Sequence, residues 1–299
     1  MVGRNFLEHP QSSNHEIVAP HRKDLNLQDR DAVQKRIRCE KPDLIIHAAG
    51  LVGGIQANIK EPVRFLLENT DMGLNVISSA VSAGVKNLIN LGSSCMYPKD
   101  NDSPLTEDAV LKGQLEPTNE GYALAKIVST RLCEYVAREY SFFNYKTFIP
   151  CNLYGRYDKY DDSHSHLIPA VIKKIHEANL VGRQTIDIWG DGLARREFMN
   201  VRDLVDFIYF AMGQLEALPQ NINIGIGHDY SISDYYKVIA SVVGFNGDFV
   251  HDLSKPVGMN RKLVDVTAVN KLGWHHKVAL REGIAEAYEC YKEAVDCGV

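Results

Sequence analysis

The stretch VKNLINLGSSCMYP, Val85 to Pro98, runs from apolar residues into two serines and a cysteine. Read as a strand, it crosses a core and ends at Ser93, Ser94 and Cys95, where open α/β sheets carry their ligands. Further apolar runs flank it: DLIIHAA (43–49) before it, KTFIP (146–150) after it, and HEIVA (15–19) as an earlier candidate strand. Between them lie two segments with apolar residues three and four apart, 63–84 and 119–140. Fully apolar strands alternating with amphipathic helices predict the α/β class with a doubly wound parallel sheet. Beyond residue 150 the pattern becomes irregular. Short strands at TIDIWG (185–190), INIGIG (222–227) and DFVHD (248–252) mix with helices near 167–180, 201–216, 232–243 and 279–295. This predicts a first domain over 1–151 and a smaller α+β lobe over 152–299, interleaved with the first.

The bulk composition excludes several classes. Of 299 residues, 45% are hydrophobic and 24% charged, the balance of an ordinary globular chain. The net charge is −5 and no Lys/Arg run points to nucleic acid, while no apolar stretch is long enough for a membrane span. Six cysteines without CxxC pairs read as reduced thiols, and the opening MVGRNFLEHPQ lacks the apolar core of a signal peptide, so a cytoplasmic protein is expected.

Tyr122 and Lys126 stand four apart on one helix face. An ammonium beside a phenol favours the phenolate, which predicts a lowered Tyr122 pKa and a group able to exchange a proton with a carbonyl or hydroxyl. Ser93 or Ser94, at the preceding strand end, is placed to hydrogen-bond the same oxygen. The plainer alternative is a half-buried tyrosine with a snorkelling lysine.

The serine pair followed by YxxxK resembles the extended short-chain dehydrogenase/reductase family, whose nucleotide-binding domain is of Rossmann type. Longer phrases narrow the resemblance to GDP-L-fucose synthases, the GDP-4-keto-6-deoxy-D-mannose 3,5-epimerase-4-reductases. These are LVGGIQAN (51–58), LGSSCMYP (91–98), LEPTNEGYALAK (115–126), CNLYGRYD (151–158), SHLIPAVIKK (165–174), REFMNV (196–201) and RKLVDVTAVNKLGW (261–274). The resemblance implies Tyr122 as the proton donor for ketone reduction, with Lys126 on the nicotinamide ribose and Ser93 as the triad serine. It implies Cys95 and His166 as the acid–base pair that epimerises C3 and C5. A thiolate in that role needs a positive neighbour. Taken without the resemblance, Cys95 reads as a small buried apolar residue and His166 as a helix-start residue. His164 and His166 beside Asp161 and Asp162 suggest a metal only weakly, and none is expected.

The same resemblance implies NADP(H) as cofactor, because Arg22 in APHRKDLNL (19–27) falls where an arginine meets the 2′-phosphate; a solvated basic turn competes with this reading. Leu25 and Asn26 are expected near the adenine. Ala48, Ala49 and Gly50 end a strand with residues small enough for close backbone approach. Asn69, Leu91, Gly92, Ser93, Ser94, Pro150, Cys151, Asn152, Leu153 and His166 complete the implied cofactor set. The family's Gly-rich turn reads roughly GxxGMVG, and this chain begins MVGR, so Gly3 is the glycine of that turn present here. HEIVA therefore lacks a neighbouring first strand, and weak order over the first forty residues or weak cofactor binding is expected.

For the nucleotide sugar, the resemblance implies Lys174, Trp189, Arg196 and Lys262, with Asn119 and Asn152 lining the sugar pocket. Lys174 reads equally well as part of a solvated helix face. Gly121 and Cys151 stand where the family commonly has Pro and Thr. The expected partner is a GDP-sugar, and helices 63–84 and 119–140 resemble those that pair in family homodimers. Two alternatives remain open: a related synthase acting on the 3-deoxy sugar to give GDP-colitose, and a non-catalytic nucleotide-sugar-binding protein.

Overall fold

A computed structural model describes residues 1–101, 104–161, 165–255 and 259–296. Helix α1 (Val2–Glu8) opens the chain, followed by α2 (Arg30–Glu40), which starts where Asp29 accepts a hydrogen bond from Ala32 N at 3.0 Å. Next come strand β1 (Leu44–His47), α3 (Ile55–Lys60) and α4 (Pro62–Ala83). Helix α4 begins on a proline and stops at Gly84, whose φ of 73° is a left-handed cap that glycine adopts without strain. Strand β2 (Asn87–Leu91), α5 (Glu120–Glu139) and β3 (Asn144–Pro150) complete the first half.

The second half holds β4 (Asn152–Tyr154), α6 (Leu167–Leu180), β5 (Thr185–Trp189), β6 (Arg195–Arg196), β7 (Phe198–Asn200) and α7 (Val201–Met212). It continues with β8 (Asn221–Ile224), β9 (Tyr230–Ser231), α8 (Ile232–Val243), β10 (Asp248–Asp252), β11 (Arg261–Lys262), α9 (Thr267–Lys271) and α10 (Leu280–Asp296).

The central sheet is parallel in the order β1-β2-β3-β8. Its strands are apolar on both faces because both are covered. Leu88 and Tyr145 join one core with Val33 and Ile37 of α2, Ile77 of α4 and Cys133 of α5. Their neighbours Ile89, Phe148 and Ile222 face a second core built on α7. There Phe207 meets Phe148 edge-on at 5.0 Å and Trp274 at 5.3 Å. This is the doubly wound arrangement expected from the apolar runs.

The predicted strand HEIVA does not form. Residues 15–19 have no ladder partner, and Val18 is 47% exposed. A strand is a property of a pair: among the described residues none pairs with 15–19, and β1 is an edge of the sheet. The two helices around this stretch are anchored. Phe6 of α1 stacks on Tyr209 at 4.4 Å, and the Tyr209 hydroxyl donates to Phe6 O at 2.9 Å.

A separate core gathers Ile168 and Ile172 of α6, Ile186 and Ile188 of β5, Tyr235 and Ile239 of α8, and Ile284 of α10. Glu197, fully buried between β6 and β7, ties this lobe to the sheet by accepting from Ile226 N (2.6 Å), Gly227 N (2.8 Å) and Val264 N (2.9 Å). Among the described residues, no helix is long and apolar enough to cross a membrane. Asp162, His164 and Cys297 lie outside the described residues.

Candidate active site

Strand β2 ends at Leu91, and the chain passes Gly92 so closely that a Cβ there would lie 2.9 Å from Met96 Cε and 3.1 Å from Thr147 Cγ2. Ser93 then caps a single 3-10 turn, Ser94–Met96, accepting from Cys95 N at 3.2 Å. The Ser93 hydroxyl also hydrogen-bonds Tyr122 in the first turn of α5. Ser94 is buried behind it. One turn along α5, the Lys126 ammonium donates to Leu91 O at 2.8 Å and lies 5.9 Å from the centre of the Tyr122 ring.

The electrostatics differ from the expectation for Tyr122. Its pKa is raised, first by desolvation and then by the neighbouring Cys95, with the Ser93 hydrogen bond as the opposing influence. Lys126 is itself pulled down to about 8 by burial, against the raising effect of Cys95. At its distance the ammonium does not offset the loss of water around the phenol. Tyr122 is therefore held as a neutral phenol, the form that gives a proton away.

Asn119 Nδ2 and Lys262 Nζ each donate to the Cys95 sulfur at 3.3 Å. Burial by itself pushes the thiol up; the Lys262 charge, then the hydrogen bonds from Ser93, Lys262 and Asn119, bring it below the ordinary thiol value. Lys262 enters from β11, 167 residues further along the chain. The cation that a reactive thiol requires is thus the lysine assigned from sequence to the sugar nucleotide. His166 stands at the start of α6, and burial, then Lys262 and Lys159, pull its imidazole down to about 4, so it is neutral at physiological pH and ready to accept a proton. Lys262 therefore acts on both groups. Lys262→Met is expected to shift Cys95 alkylation by iodoacetamide to more alkaline pH, because the thiolate loses its main stabilising charge. Mass spectrometry of the Cys95 peptide across pH reads this, and an unchanged midpoint would sink the assignment.

The loop after β1 passes Lys126. Asn69 holds it by accepting from Leu51 N (2.8 Å) and donating to Leu51 O (3.1 Å) and Phe65 O (2.7 Å). A Cβ on Gly50 would stand 3.2 Å from Asn69 Oδ1 and 3.8 Å from Lys126 Nζ, so the small residues Ala48–Gly50 leave room beside that ammonium. This cradle, with Ser93, Tyr122 and Lys126, fits the nicotinamide end of a dinucleotide. At the ends of β3 and β8, Cys151 N donates to Ile224 O at 2.9 Å, and the Cys151 thiol is pushed well up by burial and then by Glu197. Asn152 Nδ2 is spent on Glu197 O at 2.9 Å, and Leu153 packs on the sheet core. Gly121 has a steric reason: a Cβ would sit 2.9 Å from Pro62 O, where α5 starts against α4.

The other residues singled out from the sequence lie outside this cluster. Gly3 is exposed on α1. Arg22, with a 70% exposed side chain, lies 3.7 Å from Glu68. Leu25 packs on the core of α2, α4 and α5, and Asn26 accepts from Gln28 N at 3.2 Å. Lys174 pairs with Asp187 at 2.8 Å. Trp189 is 42% exposed, with Lys255 Nζ 5.6 Å from its ring centre. Arg196 donates to Arg195 O at 2.8 Å and approaches the carbonyl oxygen of Asn260; Asn260, Lys99, Glu116 and Arg261 line a cavity of about 590 Å³. Asp229, which nothing in the sequence singles out, is 2% exposed, and its carboxylate holds Arg195 Nε at 2.7 Å and Arg261 Nε at 2.5 Å. No spacing in the sequence marks that clamp. Among the described residues no His/Cys/Asp/Glu group is arranged to hold a metal.

A serine, a neutral tyrosine and a buried lysine at the end of a parallel sheet define a nicotinamide-dependent oxidoreductase of the short-chain type, here with a thiol and an imidazole added. Residues 1–225 match the NAD dependent epimerase/dehydratase family, and the chain belongs to it. It is 55% identical to the GDP-L-colitose synthase of Yersinia pseudotuberculosis, over 97% of this chain and 94% of that one. It is 48% identical to the GDP-L-fucose synthase of Azorhizobium caulinodans, over 97% and 93%. A GDP-mannoheptose C4 reductase from Campylobacter jejuni with NADP bound superposes with a TM-score of 0.87 at 31% identity, covering 97% of this chain and 95% of that one.

Proposed function

We propose that the protein is an NADPH-dependent 3,5-epimerase and 4-reductase that converts GDP-4-keto-6-deoxy-D-mannose to GDP-L-fucose. One observation carries the reading: a thiol with a lowered pKa and a neutral imidazole share the Lys262 charge beside a protonated phenol. A plain ketoreductase needs only the phenol. Proton removal at C3 or C5 puts negative charge on the C4 oxygen, where the Tyr122 and Ser93 hydroxyls stabilise it as oxyanion donors. Cys95 and His166 exchange the proton, one taking it from one face of the carbon and the other returning one to the opposite face. Lys262 stabilises the thiolate that remains when Cys95 gives up its proton. Bound NADPH supplies the hydride that C4 receives, and Tyr122 then protonates the oxygen.

Lys126, Tyr122 and the Ala48–Gly50 loop hold the nicotinamide end, and Lys99, Arg196 and Arg261 suit the diphosphate of the sugar nucleotide. The 55% identity to a GDP-L-colitose synthase favours a second reading, in which the substrate is the 3-deoxy ketosugar. A non-catalytic role is disfavoured by a site in which the thiol and the phenol each have a partner suited to their task. The test is NADPH absorbance decay with both ketosugars. Faster turnover of the 3-hydroxy substrate supports GDP-L-fucose synthesis, faster turnover of the 3-deoxy substrate supports GDP-colitose synthesis, and silence with both removes the catalytic reading.

The protein works in the cytoplasm as a homodimer. Val63, Leu67 and Leu74 on α4 and Leu124, Val128 and Tyr135 on α5 are exposed, and each set falls at intervals of four and seven residues. Two parallel apolar stripes of this kind suit a four-helix interface with a second copy. Leu67→Glu combined with Val128→Glu is expected to halve the mass measured by light scattering. A wild-type mass of one chain would remove the dimer.

A further inference from the structure

Two buried amide oxygens beside Tyr122 have no hydrogen-bond partner. Asn58, in α3, is 6% exposed, and its Nδ2 donates to Gly53 O (2.9 Å) and Gly54 O (3.0 Å). Two carbonyls on one side fix which way the amide points, so Oδ1 is the atom left over, and it is unpaired. Asn119 gives its Nδ2 to Cys95 Sγ, and its Oδ1 is likewise buried and unpaired. Both residues line one cavity of about 200 Å³, which Phe65, Pro117 and Tyr122 also wall. Unpaired buried acceptors are costly, and two on residues that wall one cavity match a ligand that brings O–H groups.

We infer that this cavity is the subsite for the C3 hydroxyl of the ketosugar, and that Asn58 is a substrate-binding residue that accepts its hydrogen bond. The inference rests on the proposed function and deepens it. Tyr122 marks the C4 oxygen, and Asn119 touches the sulfur that acts on the carbons beside C4. Of those two carbons, C5 carries a methyl group and C3 a hydroxyl. A bare acceptor takes the one proton of the hydroxyl and gives nothing to a methyl. A 3-deoxy sugar leaves the Asn58 oxygen unpaired, so the site discriminates against it.

The test compares kcat/KM for GDP-4-keto-6-deoxy-D-mannose and its 3-deoxy analogue in the wild type, Asn58→Ser and Asn58→Leu. The wild type is expected to prefer the hydroxylated substrate by roughly 10- to 100-fold. Both variants are expected to bring the two substrates within a few-fold of each other, through a higher KM for the hydroxylated one at similar kcat. Damage to the 53–54 turn lowers both substrates alike and leaves the ratio standing, so the ratio separates hydroxyl recognition from a structural role. A wild-type ratio retained in both variants, or a wild-type preference for the 3-deoxy sugar, overturns the inference. Calorimetric binding of the same two sugars keeps the two claims apart. A hydroxyl preference in binding that Asn58→Ser abolishes upholds the subsite even without turnover, which would sink only the catalytic reading. Equal binding of both sugars sinks the subsite.

Discussion

Tyr122→Phe is expected to lower reduction of the ketosugar by about 10²- to 10⁴-fold, the usual contribution of a positioned proton donor. The substitution removes one oxygen and keeps the ring, so α5 and its packing on α4 persist. Proton exchange at C3 and C5 should survive in weakened form, because Cys95, His166 and Lys262 are untouched and Ser93 still donates to the C4 oxygen. Deuterium uptake from D₂O into the ketosugar, followed by NMR alongside NADPH oxidation, reads both steps. Reduction at the wild-type rate would remove Tyr122 as the donor. The raised Tyr122 pKa adds a pH signature. The phenol stays protonated across the physiological range, so reduction should not fall with rising pH on its account until well into alkaline conditions.

The direction of that pKa was not legible in the sequence, although the Tyr122/Lys126 pair was. A four-residue spacing puts both side chains on one helix face, which the sequence states directly. How much water each loses depends on the Leu91–Ser93 strand end and on the loop at 48–51, which come from other parts of the chain. Desolvation outweighs an ammonium whose hydrogen bond goes to Leu91 O. The same limit applies to Lys262. RKLV marks a basic residue, but its contact with Cys95 spans 167 positions, and no periodicity carries information over that separation.

The fold shows the same division between local and paired information. The strands in 43–49, 87–92 and 146–150 are legible because a strand buried on both faces is continuously apolar, and the matching core helices repeat at three and four. HEIVA carries an apolar Ile-Val-Ala run of its own and forms no strand, since composition specifies a tendency and a ladder needs a neighbour. Asp229 is the clearest case on the site side. Nothing in GHDYS distinguishes it from a turn aspartate, yet burial makes it the counter-charge that holds Arg195 and Arg261 in place.

Cys95→Ser is expected to cut epimerisation by about 10²- to 10⁴-fold while leaving reduction of a ketone already epimerised at C3 and C5 close to the wild-type rate. Serine keeps the shape, and its hydroxyl can accept from Asn119 and Lys262. It does not titrate near neutrality, and a lysine that pulls a thiol below its ordinary pKa has no comparable hold on an alcohol. The variant should also relax two neighbours. Cys95 is the second influence raising Tyr122 and the one that raises Lys126, so removing the thiolate lowers both of those pKa values somewhat. Tyr122 then remains a competent donor, which is why the reductive half is expected to persist. Solvent deuterium should vanish from C3 and C5 of recovered substrate, and the pre-epimerised ketone should still consume NADPH. If Cys95→Ser exchanges those protons at the wild-type rate, the thiol is a packing residue and Lys262 belongs to the sugar nucleotide alone. If both halves fail together, the sulfur holds the site's geometry through Asn119 and Ser93, and the separation of epimerase from reductase chemistry proposed for these side chains is wrong.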